Sequence, residues 1–342
     1  MHTSSIRIAF LVTSVAMIAV PATPSQDASS VRLIQSVELP GYSGDFDHFA
    51  VDYDRNRLLL AAEDHGTLEV FDLKTSAHLS SVDGFGNPHS ILVRKGSPTV
   101  LVTDSEKQGA TLRDAETYAK KQSVKLTPGS DTSKYDSAAN VLYVVTGGKD
   151  VDMKTANLEA VNPDTGAKLG SITFQDNHVE AMAFVESDPR LFINLTQTNK
   201  IAVVDRKSLK LMATWPVPPA KQNAMVAFDP EQHRLYVVCR DPGMVVAMNS
   251  DTGSVVDTMP APLRSDEVQY DAGEHRLYVP GGEGYMGIYD TTDPDHLKLL
   301  ENVPTSPGAK TGLLIPSLHR LFLAVSPGET KAVAKVLTYE VE

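Results

Sequence analysis

The sequence predicts an all-β protein, a seven-bladed β-propeller closed by an N-terminal strand that completes the last blade. Three observations carry that expectation. A short phrase, an Arg-Leu-aromatic triplet or a near relative at the head of an apolar run, returns seven times. It stands at Arg57-Leu58-Leu59, Thr99-Val100-Leu101, Val141-Leu142-Tyr143, Arg190-Leu191-Phe192, Arg234-Leu235-Tyr236, Arg276-Leu277-Tyr278 and Arg320-Leu321-Phe322. Measured at the second residue, the steps are 42, 42, 49, 44, 42 and 44, a period suited to one propeller blade of short strands and turns. A second landmark, an Asx residue followed by a turn, closes the third strand at Asp72, Asp114, Asn162, Asp205, Asn249 and Asp290. Such side chains accept hydrogen bonds from their own turn. Finally, the seventh repeat ends near Glu340 without a fourth strand, while a spare strand, Val31 to Leu39, stands at the other end. Pairing the two shuts the ring and removes an exposed edge.

The first blade reads as an inner strand Phe49–Tyr53, a turn at Asp54-Arg55-Asn56, then strands Leu58–Ala62, Thr67–Phe71 and His78–Val82. Apolar and β-branched residues alternate or run on, as strands buried on one or both faces require. The same grammar places the closing strand at 31–41 and blades near 46–86, 87–129, 130–177, 178–221, 222–264, 265–308 and 309–342. From the Leu landmark to the Asx landmark the distance is 14 residues in four blades and 13 in the sixth. It grows to 20 in the third and, taking Glu340, to 19 in the seventh. The extra residues, 147–155 and 327–335, enlarge two loops on one face, and variable loops on a constant scaffold usually carry function.

Composition narrows the function classes. Lys+Arg is 31 against Asp+Glu 43, a net charge of −12, which argues against nucleic acid or an anionic membrane surface as partner. A basic start ending at Arg7, an apolar run from Ile8 to Val20 and a small-residue site at Val20-Pro21-Ala22 read as a signal peptide over 1–22, giving a periplasmic or secreted chain from 23. The run is too short to span a bilayer, so no membrane span remains after cleavage. Cys239 is the only cysteine, which excludes an intrachain disulfide, and its apolar strand suggests a buried, inert thiol. No Gly-x-Ser-x-Gly elbow occurs.

The stretches Asn223–Gly243 and Ser265–Gly284, with Pro88–Val93 and Lys310–Leu313 ahead of Arg320-Leu321-Phe322, carry a family likeness. The chain resembles the YVTN/YncE-like family of bacterial seven-bladed propellers over its whole mature length. The Thr-Asn of that family's namesake is largely missing, approximated only at Asn194, and the Trp-Asp signature of eukaryotic repeats is absent. The resemblance implies an extracytoplasmic binding or interaction module.

Inner strands begin where a propeller channel opens, and the residues there are polar: Asp47-His48, His89, Asp131, His178 with Glu180, Asn223, Asp266-Glu267 and Lys310. Together with Arg240 they form the candidate ligand-binding set, since polar groups converging on one end of a channel are the default site on this scaffold. Strand-start positions also cap loop backbone, which is the competing role for each residue singly. Arg240 suits a ligand carboxylate or an ion pair with Glu283 or Asp241. Glu180, Asp266 and Glu267, with Asn223, offer the hard oxygens that Ca²⁺ or Mg²⁺ prefers, and His48, His89 and His178 suit Zn²⁺ or another transition metal. The Gly281-Gly282-Glu283-Gly284 loop lacks the Lys and Ser/Thr of a phosphate cradle and reads as a tight turn.

Two functions of different class follow. The first is a monomeric, non-catalytic module gripping a small molecule or protein partner at the channel-end face. The alternative is a metal-dependent propeller hydrolase of the lactonase type, using the Glu180, Asn223 and Asp266 set. A quinone-cofactor oxidoreductase is disfavoured, because a second cysteine and a tryptophan-derived quinone partner are lacking.

Overall fold

The first six repeats each form one antiparallel sheet, because short β-branched runs separated by tight turns pair first with their sequence neighbours. The computed structural model describes residues 31–106, 109–328 and 333–341; the expected signal peptide over 1–22 lies outside them. The described strands form seven four-stranded sheets, the arrangement of a seven-bladed β-propeller. Two short 3-10 turns, Lys149–Val151 and Pro316–Leu318, interrupt the strands. No helix among the described residues is long and apolar enough to cross a membrane.

Six sheets follow chain order, and the seventh is the seam. There Val31–Glu38 pairs antiparallel with Lys335–Val341, outside Arg320–Val325 and Ala309–Ile315. Val31 lies opposite Val341 and Val37 opposite Val336, with a bulge between Leu33 and Gln35. Just beyond the strand, Leu39 is buried and its N–H donates to the Ala334 carbonyl at 2.8 Å. It packs with Phe46, Phe49, Phe322 and Val336, so the seam joins the last blade to the first.

The recurring phrases now have a physical meaning. Arg57 stands opposite Asp72, Thr99 opposite Asp114, Arg190 opposite Asp205, Arg234 opposite Asn249 and Arg276 opposite Asp290. The two landmarks are therefore the ends of one rung, joining the start of the second strand to the end of the third. The Asx residue caps the next turn: Asp72 Oδ1 accepts the Lys74 and Thr75 N–H groups at 3.0 and 2.7 Å, and Asn249 Oδ1 accepts those of Asp251 and Thr252 at 2.9 Å. The arginine reaches sideways. Arg57 donates to the Glu116 carbonyl at 3.1 Å, Arg190 to Ser250 at 2.5 Å and Arg234 to Pro294 at 2.8 Å, each on the following blade. The landmark leucine points the other way, and Leu58, Leu191, Leu235, Leu277 and Leu321 are fully buried.

Second and third strands are buried almost throughout, whereas outer strands such as His78–Val82 face solvent. The core lies between blades. Phe192, Phe228, Leu235 and Cys239, for example, form one cluster spanning the fourth and fifth blades. Burial pushes the Cys239 thiol up to about 12, so it stays protonated and unreactive. The inner strands, Phe49–Asp52, Pro88–Val93, Ser133–Asp136, Val179–Ala183, Lys221–Asp229, Gln269–Asp271 and Ala309–Ile315, surround the axial channel.

Candidate functional site

A cavity of about 810 Å³ fills the end of the channel where the inner strands begin. Both enlarged loops reach its wall, the third blade through Gly147–Asp150 and the seventh through Pro327 and Gly328. Nine of the expected residues line it: Asp47, His48, His89, Asp131, His178, Glu180, Arg240, Asp266 and Lys310. Glu267 does not. It lies one storey down, lining a second cavity of about 520 Å³ with Lys134 and Gln269. His48 stands between the two, its Nε2 3.5 Å from Asp47 and its Nδ1 3.8 Å from Glu267. Asn223 is fully buried in the fourth-to-fifth blade contact, donating to Asn194 Oδ1 at 2.7 Å and the Lys200 carbonyl at 2.9 Å.

One wall is a chain of ion pairs from the fourth blade to the first. His178 Nε2 lies 2.7 Å from Glu180 Oε1, which lies 3.3 Å from Arg240. Arg240 pairs with Asp266 and donates through Nε to the Ser265 carbonyl at 3.0 Å. Asp266 lies 3.0 Å from Lys310, which reaches Asp45 at 2.9 Å. Burial alone would raise the Asp266 carboxyl, but Lys310 and Arg240 outweigh it and hold it below the ordinary range. For Lys310, burial acts to lower and Asp266 with Asp45 raise it more, so the ammonium persists well above its usual limit.

This geometry changes two expectations. Arg240 pairs with Glu180 and Asp266 across the mouth, not with Asp241 or Glu283; the Glu283 carboxylate instead accepts the Leu263 N–H at 2.9 Å. A guanidinium therefore occupies the space between Glu180 and Asp266, and Asn223 lies buried in the blade contact outside the cavity lining, so these three do not meet as a metal-ligand set. In the Gly281–Gly284 turn, the left-handed conformation falls at Gly284, with φ of 110°.

The opposite wall gathers imidazole and carboxylate from the first three blades. His89 Nδ1 lies 2.6 Å from Asp47 Oδ2 and 3.5 Å from Asp131 Oδ1. His89 Nε2 lies 3.1 Å from Ser105 Oγ, which donates to Asn87 Oδ1 at 2.7 Å. Asp47, Glu63 and His89 each place one donor atom within 4.8 Å of the others. Burial opposes charge on His89, but Asp131, Asp47 and Glu63 together push its imidazole up to about 10. The same contest at His48, with Asp47 and Glu267 as the main partners, ends at about 10. Asp47 is the counter-case, where His48 and His89 overcome burial and draw it down to about 2. Burial dominates at Glu63, raised to about 8, and at Asp131, raised to about 6.

Glu63, Asn87 and Ser105 were absent from the expected set. A signal for Glu63 and Ser105 existed. Glu63 follows the Leu58 landmark by five residues, as Ser105 follows Val100, Arg240 follows Leu235 and Ser326 follows Leu321. All four line the cavity. The exit of the second strand is thus a second ring of mouth positions, parallel to the ring of inner-strand starts.

No family model matches the sequence, and no curated protein matches it. Among solved structures, a chain of a mitotic checkpoint complex crystal structure superposes with a TM-score of 0.75 at 13% identity, covering 98% of this chain and 99% of that one. At that identity the likeness defines the class of protein, a seven-bladed β-propeller, and nothing narrower.

Proposed function

We propose that this protein is an extracytoplasmic binding propeller whose channel mouth takes one small, polar, uncharged or zwitterionic molecule. The observation that carries this reading is the cavity itself: all seven blades contribute charged or imidazole side chains to one 810 Å³ space. The charges there are largely paired, as in the run from His178 through Glu180, Arg240, Asp266 and Lys310 to Asp45. A paired wall offers many fixed donors and acceptors but little net field. That favours hydroxyl, amide or zwitterionic groups over a polyanion, which would meet carboxylates at every turn. The signal-peptide-like start and the likeness to the YVTN/YncE-like family support the extracytoplasmic placement, and the propeller scaffold is compatible with a binding role.

The test is a thermal-shift screen of polyols, amino acids and other zwitterions, with hits titrated by calorimetry against the intact chain and Lys310→Met. A ligand at one hundred times its Kd stabilises by about 2.7 kcal/mol, a rise of several degrees. Binding lost or weakened at least tenfold in the variant supports the mouth as the site. Hits that bind the variant equally well, or no hit at all, overturn the reading.

A further inference from the structure

We propose that the first two blades carry a site for a single divalent transition-metal ion, held by His89 through Nδ1, by Asp47 and by Glu63, on the wall of the channel mouth. The argument begins with one hydroxyl. Ser105 Oγ donates to Asn87 Oδ1 at 2.7 Å, and an amide oxygen can only accept. The serine proton is therefore committed, so its 3.1 Å contact with His89 Nε2 must be an N–H donated by the ring. Nε2 carries a hydrogen, and Nδ1 is the nitrogen turned to the carboxylates. Ser105 is therefore not set up as a nucleophile, since a nucleophilic serine must give its proton to the imidazole, and this one gives it to Asn87.

Nδ1 faces Asp47 Oδ2 at 2.6 Å and Asp131 Oδ1 at 3.5 Å, and Glu63 completes the 4.8 Å group with Asp47 and His89. A lone pair and several carboxylate oxygens directed at one another need a cation between them, and either a proton or a metal ion serves. The arrangement of the second nitrogen favours the metal. A ligating imidazole almost always donates its other N–H to a fixed acceptor, which sets tautomer and ring orientation. Here Asn87 and Ser105 are that support, and Asn87 is itself anchored by donating to the Glu63 carbonyl at 3.3 Å.

The donor set chooses the ion. One imidazole nitrogen with carboxylate oxygens suits Zn²⁺, Co²⁺ or Mn²⁺, whereas Ca²⁺ takes oxygen ligands alone. Donors about 2.1 Å from such an ion stand at most about 4.2 Å apart, so the widest pair closes by a fraction of an ångström. The 2.6 Å His89–Asp47 hydrogen bond opens as the ion enters. In that exchange the ion replaces the proton shared by Nδ1 and Asp47, and that proton leaves to solvent together with any proton held by the Glu63 carboxyl. The site is independent of the small ligand proposed above, since metal uptake is read with no ligand present and ligand binding is read with no metal added.

The experiment titrates the chelator-stripped, full-length chain with Zn²⁺ by calorimetry, counts bound metal by elemental analysis and records the visible spectrum with Co²⁺. One ion per chain is expected, with Co²⁺ bands typical of mixed nitrogen and oxygen ligation. Glu63→Gln and His89→Ala should each abolish uptake or weaken it at least a hundredfold, and Ser105→Ala by about tenfold. His296→Ala, an exposed histidine of the sixth blade, should change nothing. If His89→Ala does not fold, Glu63→Gln and Ser105→Ala decide. No uptake, preference for Ca²⁺ over Zn²⁺, or uptake that survives Glu63→Gln would overturn the site.

Discussion

The seam is tested by two leucines on one stretch of chain. Leu39 is 2% exposed and packs between the last and first blades, while Leu33, six residues earlier, is 50% exposed. Leu39→Ala removes buried carbons from a site that cannot collapse freely, because blades on both sides fix its walls. Such truncations cost about 2–5 kcal/mol. Unfolding entropy near 2.1 cal/mol/K per residue over roughly 300 ordered residues gives about 1.5 °C per kcal/mol. The melting temperature of Leu39→Ala should therefore fall by about 3–8 °C. Leu33→Ala should stay within about 0.5 kcal/mol, under 1 °C. Circular dichroism melts of the intact chain and both variants are the assay, with static light scattering on a third variant lacking residues 31–41. That deletion bares Lys335–Val341 as an edge strand, and self-association should follow. Equal shifts in the two leucine variants, or a deletion that stays monomeric with an unchanged melt, would refute closure by this strand.

Other outcomes follow from the same contacts. The Asx-turn carboxylates of Asp72, Asp205 and Asp290 lie below their usual range, chiefly because turn N–H and hydroxyl groups donate to them. Their stabilisation is complete above the unfolded value near 4 and is lost as pH falls through the lower folded value. Asp205→Asn keeps the turn, as Asn162 and Asn249 do in their blades, so neutral-pH stability should hold while the acid limb of the melting curve flattens. Arg234 is buried and satisfies carbonyls of Pro294, Gln232 and His233, so Arg234→Met should destabilise by roughly 2–4 kcal/mol, read by urea unfolding. At Gly308 φ is +90° and an added Cβ would stand 2.0 Å from the Ser326 carbonyl oxygen, so Gly308→Ala should cost about 1–3 kcal/mol and distort the mouth. Cys239 should ignore a thiol reagent in the native protein and react fully in denaturant.

Blade number, closure and the face on which the cavity opens were legible in the sequence, for one reason: each landmark is a rung of the ladder, so spacing encodes register. Arg57 with Asp72 and Arg234 with Asn249 repeat one hairpin geometry. The direction of individual side chains at the mouth was less legible. Bulges interrupt several inner strands near their start, between Asn223 and Met225 and between Ala309 and Thr311, for example. A bulge breaks the strict alternation of faces. Asn223 accordingly turns into the blade contact while Lys310 reaches the cavity. Partner choice across blades was hidden for a different reason. Arg240 meets Glu180 from sixty positions away, and no local pattern encodes a distance set by ring curvature. Glu63 and Ser105 show the reverse: the periodic signal at the second-strand exit was present, and only its meaning needed the fold.

Native mass spectrometry of the chain isolated from its own compartment, beside Arg240→Ala prepared identically, tests the binding reading most directly. The account predicts a small-molecule adduct of one per chain that the variant lacks. A bare intact chain, or an adduct retained undiminished by Arg240→Ala, would contradict it.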